Sequence, residues 1–214
     1  MNNKKKFSKF IKNKIFLYPI VDSLFWLVKV LDFGIKFIQF RIKNFFNYEK
    51  LCFSIEAAII LGKKYNAFIF INDYWKLAIK YQAFGIHLGQ EDIKSIDIKK
   101  IQKHNICFGI SAHSKDEFKN AVRFSPDYIS LGHVFYTNTK IMKNPPIGLE
   151  MVKKIQREFS SSIPIIAIGG INSTNIKKVL SCSINAIAIS SFITENPVWK
   201  KSIVELRNKY PLLF

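Results

Sequence analysis

Cysteine is scarce: Cys52, Cys107 and Cys182 are odd in number, far apart and in no CxxC pair. That pattern argues against a disulfide framework and against a zinc site, and makes a reducing cytoplasm the natural setting. Long hydrophobic runs are missing as well. Asp22, Lys29, Asp32 and Lys36 interrupt the apolar stretch from Ile15 to Phe40, so no run of about 18 uncharged residues exists to span a bilayer. Lys9, Lys12 and Lys14 break any apolar segment of a secretory signal, and no membrane association is expected. No GxGxxG follows the first apolar run, which removes the main sign of a dinucleotide-binding sheet. No Ser/His/Asp or Cys/His arrangement for nucleophilic catalysis stands out either.

Arginine is the other shortage. The 33 basic residues against 15 acidic ones give a net charge of +18, which invites a reading as a polyanion binder, yet only four of the 33 are arginine. Base-edge and forked phosphate recognition favour arginine, and the lysines are spread along the chain among many Ile, Asn and Phe. A compositional origin therefore explains the charge better than nucleic acid does, and no specific nucleic-acid partner is expected.

What is present is a large apolar fraction, 49% of 214 residues, enough for a substantial core. Short apolar runs recur at even intervals over 15–21, 36–42, 67–71, 84–88, 106–110, 127–131, 163–168 and 185–190. Between them, apolar residues repeat at three- and four-residue spacing near 23–33, 48–65, 74–82, 95–103, 115–124, 148–158, 173–181 and 197–208. Continuous apolar strands separated by helices suit a parallel sheet covered on its faces, and eight such units predict an α/β fold, a single-domain (β/α)8 TIM barrel. The barrel is expected over 15–214, after a basic N-terminal extension over 1–14 with no fixed structure of its own. Ser114 with Glu117 predicts a capping box, and Asn72 and Ser173 are candidate helix caps.

In such a barrel the chemistry gathers at the C-terminal strand ends, and polar residues fall there at most junctions. Gln39, Arg41 and Lys43 stand at strand spacing and would share one face, where an Arg fork and a Lys point charge suit a diphosphate. The alternative is an exposed edge strand with solvated charges. Asp73 and Asp92 end adjacent strands and offer hard oxygens for Mg²⁺, against the plainer readings of a helix cap and a solvated loop. Gly169-Gly170 can let backbone approach a phosphate, with Ser190 and Ser191 adding donors one strand later. His87, His113 and His133 read as structural hydrogen-bonding residues, His104 as a surface residue, and Trp26, Trp75 and Trp199 as packing residues.

The blocks LYPIVDS (17–23), QFRIK (39–43), FINDYWKLAIKYQAFGIHLGQED (70–92), GISAHS (109–114), YISLGHVFYTNTK (128–140), GLE (148–150) and AIGGI (167–171) together resemble the thiamine-phosphate synthase family. The resemblance runs from about Leu17 to Thr194. It implies an enzyme, a transferase that joins two small molecules, hydroxymethylpyrimidine diphosphate and a carboxylated thiazole phosphate, releasing diphosphate and CO₂. Carried over by motif, Gln39, Arg41, Lys43, Asn72, Ser111 and Lys140 would hold the pyrimidine diphosphate, with Arg41, Lys43 and Lys140 catalytic. Asp73 and Asp92 would hold Mg²⁺, and Thr137, Asn138, Thr139, Gly170, Ser190 and Ser191 would contact the thiazole phosphate. Homo-oligomerisation stays open. Rival readings are a thiazole tautomerase on the same barrel and a noncatalytic basic polyanion-binding protein. The chain departs from the family pattern at Phe40, Ala112, Tyr136, Ile147, Ser190 and 182–185, which bears on the thiazole side.

Overall fold

The structure is a computed structural model that describes residues 2–11, 15–43, 45–137, 144–159 and 163–214. Eight parallel strands close into a barrel in sequence order: β1 (Phe16–Val21), β2 (Phe37–Phe40), β3 (Phe68–Asn72), β4 (Gly85–Leu88), β5 (Cys107–Ala112), β6 (Tyr128–Gly132), β7 (Ile165–Ile168) and β8 (Ala186–Ile189). Each expected strand is present. Helices α2 (Leu24–Asp32), α3 (Tyr48–Lys64), α4 (Trp75–Lys80), α7 (Lys115–Val122), α8 (Gly148–Phe159), α9 (Ile176–Leu180) and α11 (Trp199–Lys209) follow the predicted periodic segments. The segment between β4 and β5 divides into α5 (Gln90–Ser95) and α6 (Ile98–Gln102), and a short α10 (Ser191–Thr194) follows β8.

Strand residues alternate between two apolar cores. Outward residues such as Leu17, Ile38, Ile69, Ile86, Phe108, Ile129, Ala167 and Ile187 pack under the helices. Inward ones, among them Phe16, Tyr18, Phe37, Phe70, Tyr128, Ile166 and Ala186, fill the barrel. Large inward rings are accommodated by glycine on the neighbouring strand. A Cβ on Gly85 would sit 2.3 Å from the Phe70 ring, and one on Gly109 would sit 2.1 Å from the Tyr128 ring. Register places each glycine beside its ring, Phe70 opposite Gly85 and Gly109 opposite Tyr128.

The N-terminus differs from the loose extension read from its charge. Asn3–Ile11 form α1, which closes the bottom of the barrel where the strands begin. Phe7, Phe10 and Ile11 lie at i, i+3 and i+4 and turn one apolar stripe inward, while lysines occupy the rest of the helix. Phe7 is buried, its ring 5.5 Å from Phe37 and 5.9 Å from both Phe70 and Tyr128, and Phe10 meets Phe16 at 5.0 Å and Phe68 at 5.1 Å. The Asn3 side chain donates to the carbonyls of Phe84 and Asn105, pinning the helix start across the strand ends.

Capping follows the sequence in part. Ser114 Oγ accepts from Glu117 N at 3.1 Å, but the Glu117 carboxylate reaches back one residue further, to His113 N at 2.7 Å. Ser173 caps nothing, since α9 starts at Ile176 after Asn175. Asn72 is a buried strand end, and α4 begins after Tyr74 without a side-chain cap.

Replacing Phe7 with alanine removes the centre of the plug and is expected to cost about 3 kcal/mol and about 10 °C in Tm by thermal melting. Phe53→Ala on the exposed face of α3 is expected to change stability by no more than about 0.5 kcal/mol. Equal effects of the two would contradict the plug.

Candidate active site

The C-terminal rim carries two groups of the predicted residues. On the arc from β2 to β5, Gln39 points inward and is buried, its Nε2 donating to Tyr18 Oη at 3.3 Å. Strand β2 stops at Phe40, although Arg41 N still donates to Val21 O at 2.8 Å, so the shared-face argument holds for Gln39 and Arg41 only. Lys43 lies beyond the strand and is exposed.

Asp73 takes a left-handed backbone conformation, φ 63°, that directs the chain off the end of β3. It is accessible as a residue, yet neighbouring protein partly desolvates its carboxylate. Burial, then the facing charge of Asp92, push its pKa up to about 6, against the pull of Arg41 and a hydrogen bond from Asn72. Asp92 sits in the first turn of α5, with Oδ2 accepting from Gly89 N at 2.8 Å. Asp92 therefore lies in a helix and not in a solvated loop: it caps the start of that helix and also comes within hydrogen-bonding reach of Asp73, while Asp73 caps no helix, since α4 starts without a side-chain cap. Two hard carboxylates forced against each other fit a hard divalent cation, which would replace their repulsion with attraction. Among the described residues no group of three or more His, Cys, Asp or Glu could hold a metal, so substrate and water oxygens would complete such a shell.

Ser111 lies at the mouth end of β5. Its Oγ is 2.8 Å from His87 Nε2, His87 Nδ1 is 2.9 Å from Tyr128 Oη, and Tyr128 Oη is 2.7 Å from Tyr18 Oη. Gln39 and Ser111, both assigned to the pyrimidine diphosphate by the family resemblance, thus belong to one buried polar chain crossing the barrel. Burial first, then Arg41 and His113, push the His87 pKa down to about 3, so the ring is neutral at ordinary pH. Gln90 Nε2 donates to Ser111 O at 2.6 Å and steadies the same strand end.

The second group occupies the arc from β6 to β8. Gly169 and Gly170 both have positive φ, 100° and 65°, and they admit protein backbone. A Cβ on Gly169 would strike His133, and one on Gly170 would lie 2.2 Å from Tyr136 O. The loop after β6, which carries half-buried Thr137, therefore rests directly on the glycine pair. Ser190 Oγ donates to Ile20 O at 3.1 Å, tying β8 to β1, and Ser191 opens α10. Asn138, Thr139 and Lys140 lie outside the described residues.

His113 is hydrogen-bonded, its carboxylate partner being Glu117 at 2.8 Å and four residues on, a spacing readable in the sequence. Other expectations need correction. His133 is buried, and its Nδ1 has no partner among the described residues. Ser130, buried and beside Ser111 in register, likewise has an unpartnered Oγ among the described residues, and it was not singled out. Tyr18 and Tyr128 were also missed, because in the sequence they read as ordinary strand aromatics. Ala112 faces outward into the helix-covered core, so its departure from the family pattern concerns packing and not the mouth. A surface cleft of about 330 Å³ lined by Trp75, Lys76, Ile79, Lys100, Lys103 and His104 contains none of the predicted site residues.

Enzymes built as (β/α)8 barrels carry their chemistry on this rim, and an acid pair beside a guanidinium puts the chain among them. The sequence profile of thiamine monophosphate synthase matches residues 17–193. The thiamine-phosphate synthase of Serratia proteamaculans is 42% identical over 194 residues, 91% of each chain, and that of Salmonella paratyphi B is 44% identical over 191 residues, 89% of each. The thiamine phosphate pyrophosphorylase structure from Pyrococcus furiosus superposes with a TM-score of 0.79 at 32% identity, over 94% of this chain and 98% of that one. The chain belongs to the thiamine monophosphate synthase family, and is a transferase acting on small molecules. Among the described residues no helix is long and apolar enough to cross a membrane.

The raised pKa of Asp73 has a sign. The folded state holds the proton more tightly than the unfolded one, so this group's contribution is fully present below about 4 and is lost as pH rises through about 6. Asp73→Asn, which keeps a residue tolerant of positive φ, is expected to raise the Tm of metal-free protein above pH 6 by about 2 °C, about 1 kcal/mol or less after solvent screening. The same variant is expected to lose the stabilisation that Mg²⁺ gives wild type, and thermal melts with and without Mg²⁺ measure both.

Proposed function

We propose that this chain couples hydroxymethylpyrimidine diphosphate to carboxylated hydroxyethylthiazole phosphate, giving thiamine phosphate, diphosphate and CO₂. The observation that carries the reading is the pairing of Asp73 with Asp92 beside Arg41 on the rim of a barrel of this family. In the reaction the bond from the pyrimidine methylene to diphosphate oxygen breaks with both electrons on oxygen. The thiazole nitrogen lone pair forms the new C–N bond, CO₂ leaves its electron pair on the thiazole, and water returns a proton there.

Arg41 grips the departing diphosphate as a fork, with Lys43 and Lys140 as point charges, so that negative charge is stabilised as it develops. Asp73 and Asp92 would hold Mg²⁺, which when bound supplies further positive charge to the diphosphate oxygens. Gln39, Asn72 and Ser111 orient the pyrimidine. Thr137, Asn138, Thr139, Gly170, Ser190 and Ser191 hold the thiazole phosphate so that its nitrogen faces the methylene. No side-chain nucleophile is required. The setting is cytoplasmic, in keeping with free cysteines at 52, 107 and 182. A thiazole tautomerase would have no use for an acid pair and a guanidinium on the opposite arc, and the relatives named above are synthases.

Thiamine phosphate, read as thiochrome fluorescence together with diphosphate release, is expected to form only with Mg²⁺. Asp92→Asn and Lys140→Ala are each expected to lower kcat/KM by roughly 100-fold or more. No product from folded wild-type protein, or a wild-type rate from Asp92→Asn, would refute the assignment.

A further inference from the structure

The polar chain that crosses the barrel has an orderable set of protons, because the Gln39 amide turns its nitrogen, and not its oxygen, toward Tyr18. The Gln39 amide nitrogen donates to Tyr18 Oη and cannot accept. Tyr18, fully buried, has one hydrogen of its own, and Tyr128 Oη, at 2.7 Å, is its other hydrogen-bonding neighbour among the described residues. If Tyr128 donated instead, the hydrogen of the fully buried Tyr18 would be left without an acceptor among the described residues. Tyr18 therefore donates to Tyr128, and Tyr128 gives its single hydrogen to His87 Nδ1. Nδ1 then carries no proton, the neutral ring holds its proton on Nε2, and Nε2 donates to Ser111 Oγ.

The consequence falls on Ser111. Its oxygen is already an acceptor, so its hydrogen is left for something else. Ser130, its neighbour in register, does not take it, since Ser130 Oγ has no partner among the described residues. We propose that Tyr18, Tyr128 and His87 are positioning residues that set Ser111 as a hydrogen-bond donor into the mouth, aimed at an unprotonated ring nitrogen of the aminopyrimidine. This rests on the substrate reading above and adds to it a reason for the buried chain. A serine alone can donate or accept, and the chain removes that freedom before substrate arrives.

The packing holds the relay in place. The Tyr128 ring lies on His87 with centroids 5.6 Å apart and planes 19° apart, and Phe7 of the plug closes over it from below. Gly109 provides the space that ring occupies. An aromatic pair buried among apolar walls is ordinary packing, but a pair whose hydroxyls lie in series between two mouth residues has a use for its oxygens.

The test is the tautomer of His87 in protein labelled with ¹⁵N-histidine, read from long-range ¹H–¹⁵N correlations. Wild type is expected to show the proton on Nε2 and a bare Nδ1, and Tyr128→Phe a mixture of tautomers. The wild-type spectrum alone can overturn the inference: a protonated Nδ1 would reverse the order, with the Gln39 amide oxygen facing Tyr18 and Ser111 left as an acceptor. A binding arm uses two probes, the free aminopyrimidine alcohol and inorganic diphosphate with Mg²⁺. In Tyr128→Phe, the first is expected to bind about tenfold more weakly and the second unchanged, since one neutral hydrogen bond is at stake. Unchanged affinity for the aminopyrimidine would overturn the positioning role. Neither arm needs turnover, so a wild-type protein that binds as expected yet makes no thiamine phosphate would sink the activity and leave this inference standing.

Discussion

Closure of the eight-stranded barrel around its own side chains is the constraint on which the rest depends. Parallel strands buried on both faces leave no room for an inward group that is not matched by its neighbours. Phe70 and Tyr128 fit because Gly85 and Gly109 yield space to them, and the remaining volume at the bottom is filled by Phe7 and Phe10 of α1. That filling buries the lower half of the barrel and gives the upper half a packed apolar floor.

On this floor, polar groups behave unlike surface groups. The hydroxyls of Tyr18 and Tyr128 and the ring of His87 are buried, which obliges them to bond to one another and keeps the imidazole neutral. A step nearer the mouth, the partial burial of Asp73 raises its pKa and sharpens its repulsion with Asp92. The site therefore stores an electrostatic imbalance that a cation and an anionic substrate together would relieve. Closing the sheet and preparing the chemistry are two results of the same packing.

The strands were legible because a strand buried on both faces must be apolar almost throughout, and eight such runs at even spacing leave few architectures. That Gln39, Arg41, Asp73 and Asp92 gather on one arc of the rim was legible because polar residues recur where the apolar runs end, and in a barrel those ends lie together. Less was visible where a signal was masked. The Phe7, Phe10, Ile11 stripe was present in the sequence, but the surrounding lysines drew attention to charge. His113 and Glu117 stood at a readable spacing of four and were passed over. Strand alternation extended to Lys43 fails because β2 ends at Phe40.

The sequence by itself determined the repeating units, their order, the family and the chemical types available at the rim, since each of these follows from local pattern or matching motifs. Only the tertiary structure decided which groups meet. Tyr18 and Tyr128 are 110 positions apart, and nothing local marks one as the other's partner. Their hydroxyls find each other because closing the barrel brings β1 and β6 to face across its interior, where full burial leaves them only one another, Gln39 and His87 to bond to.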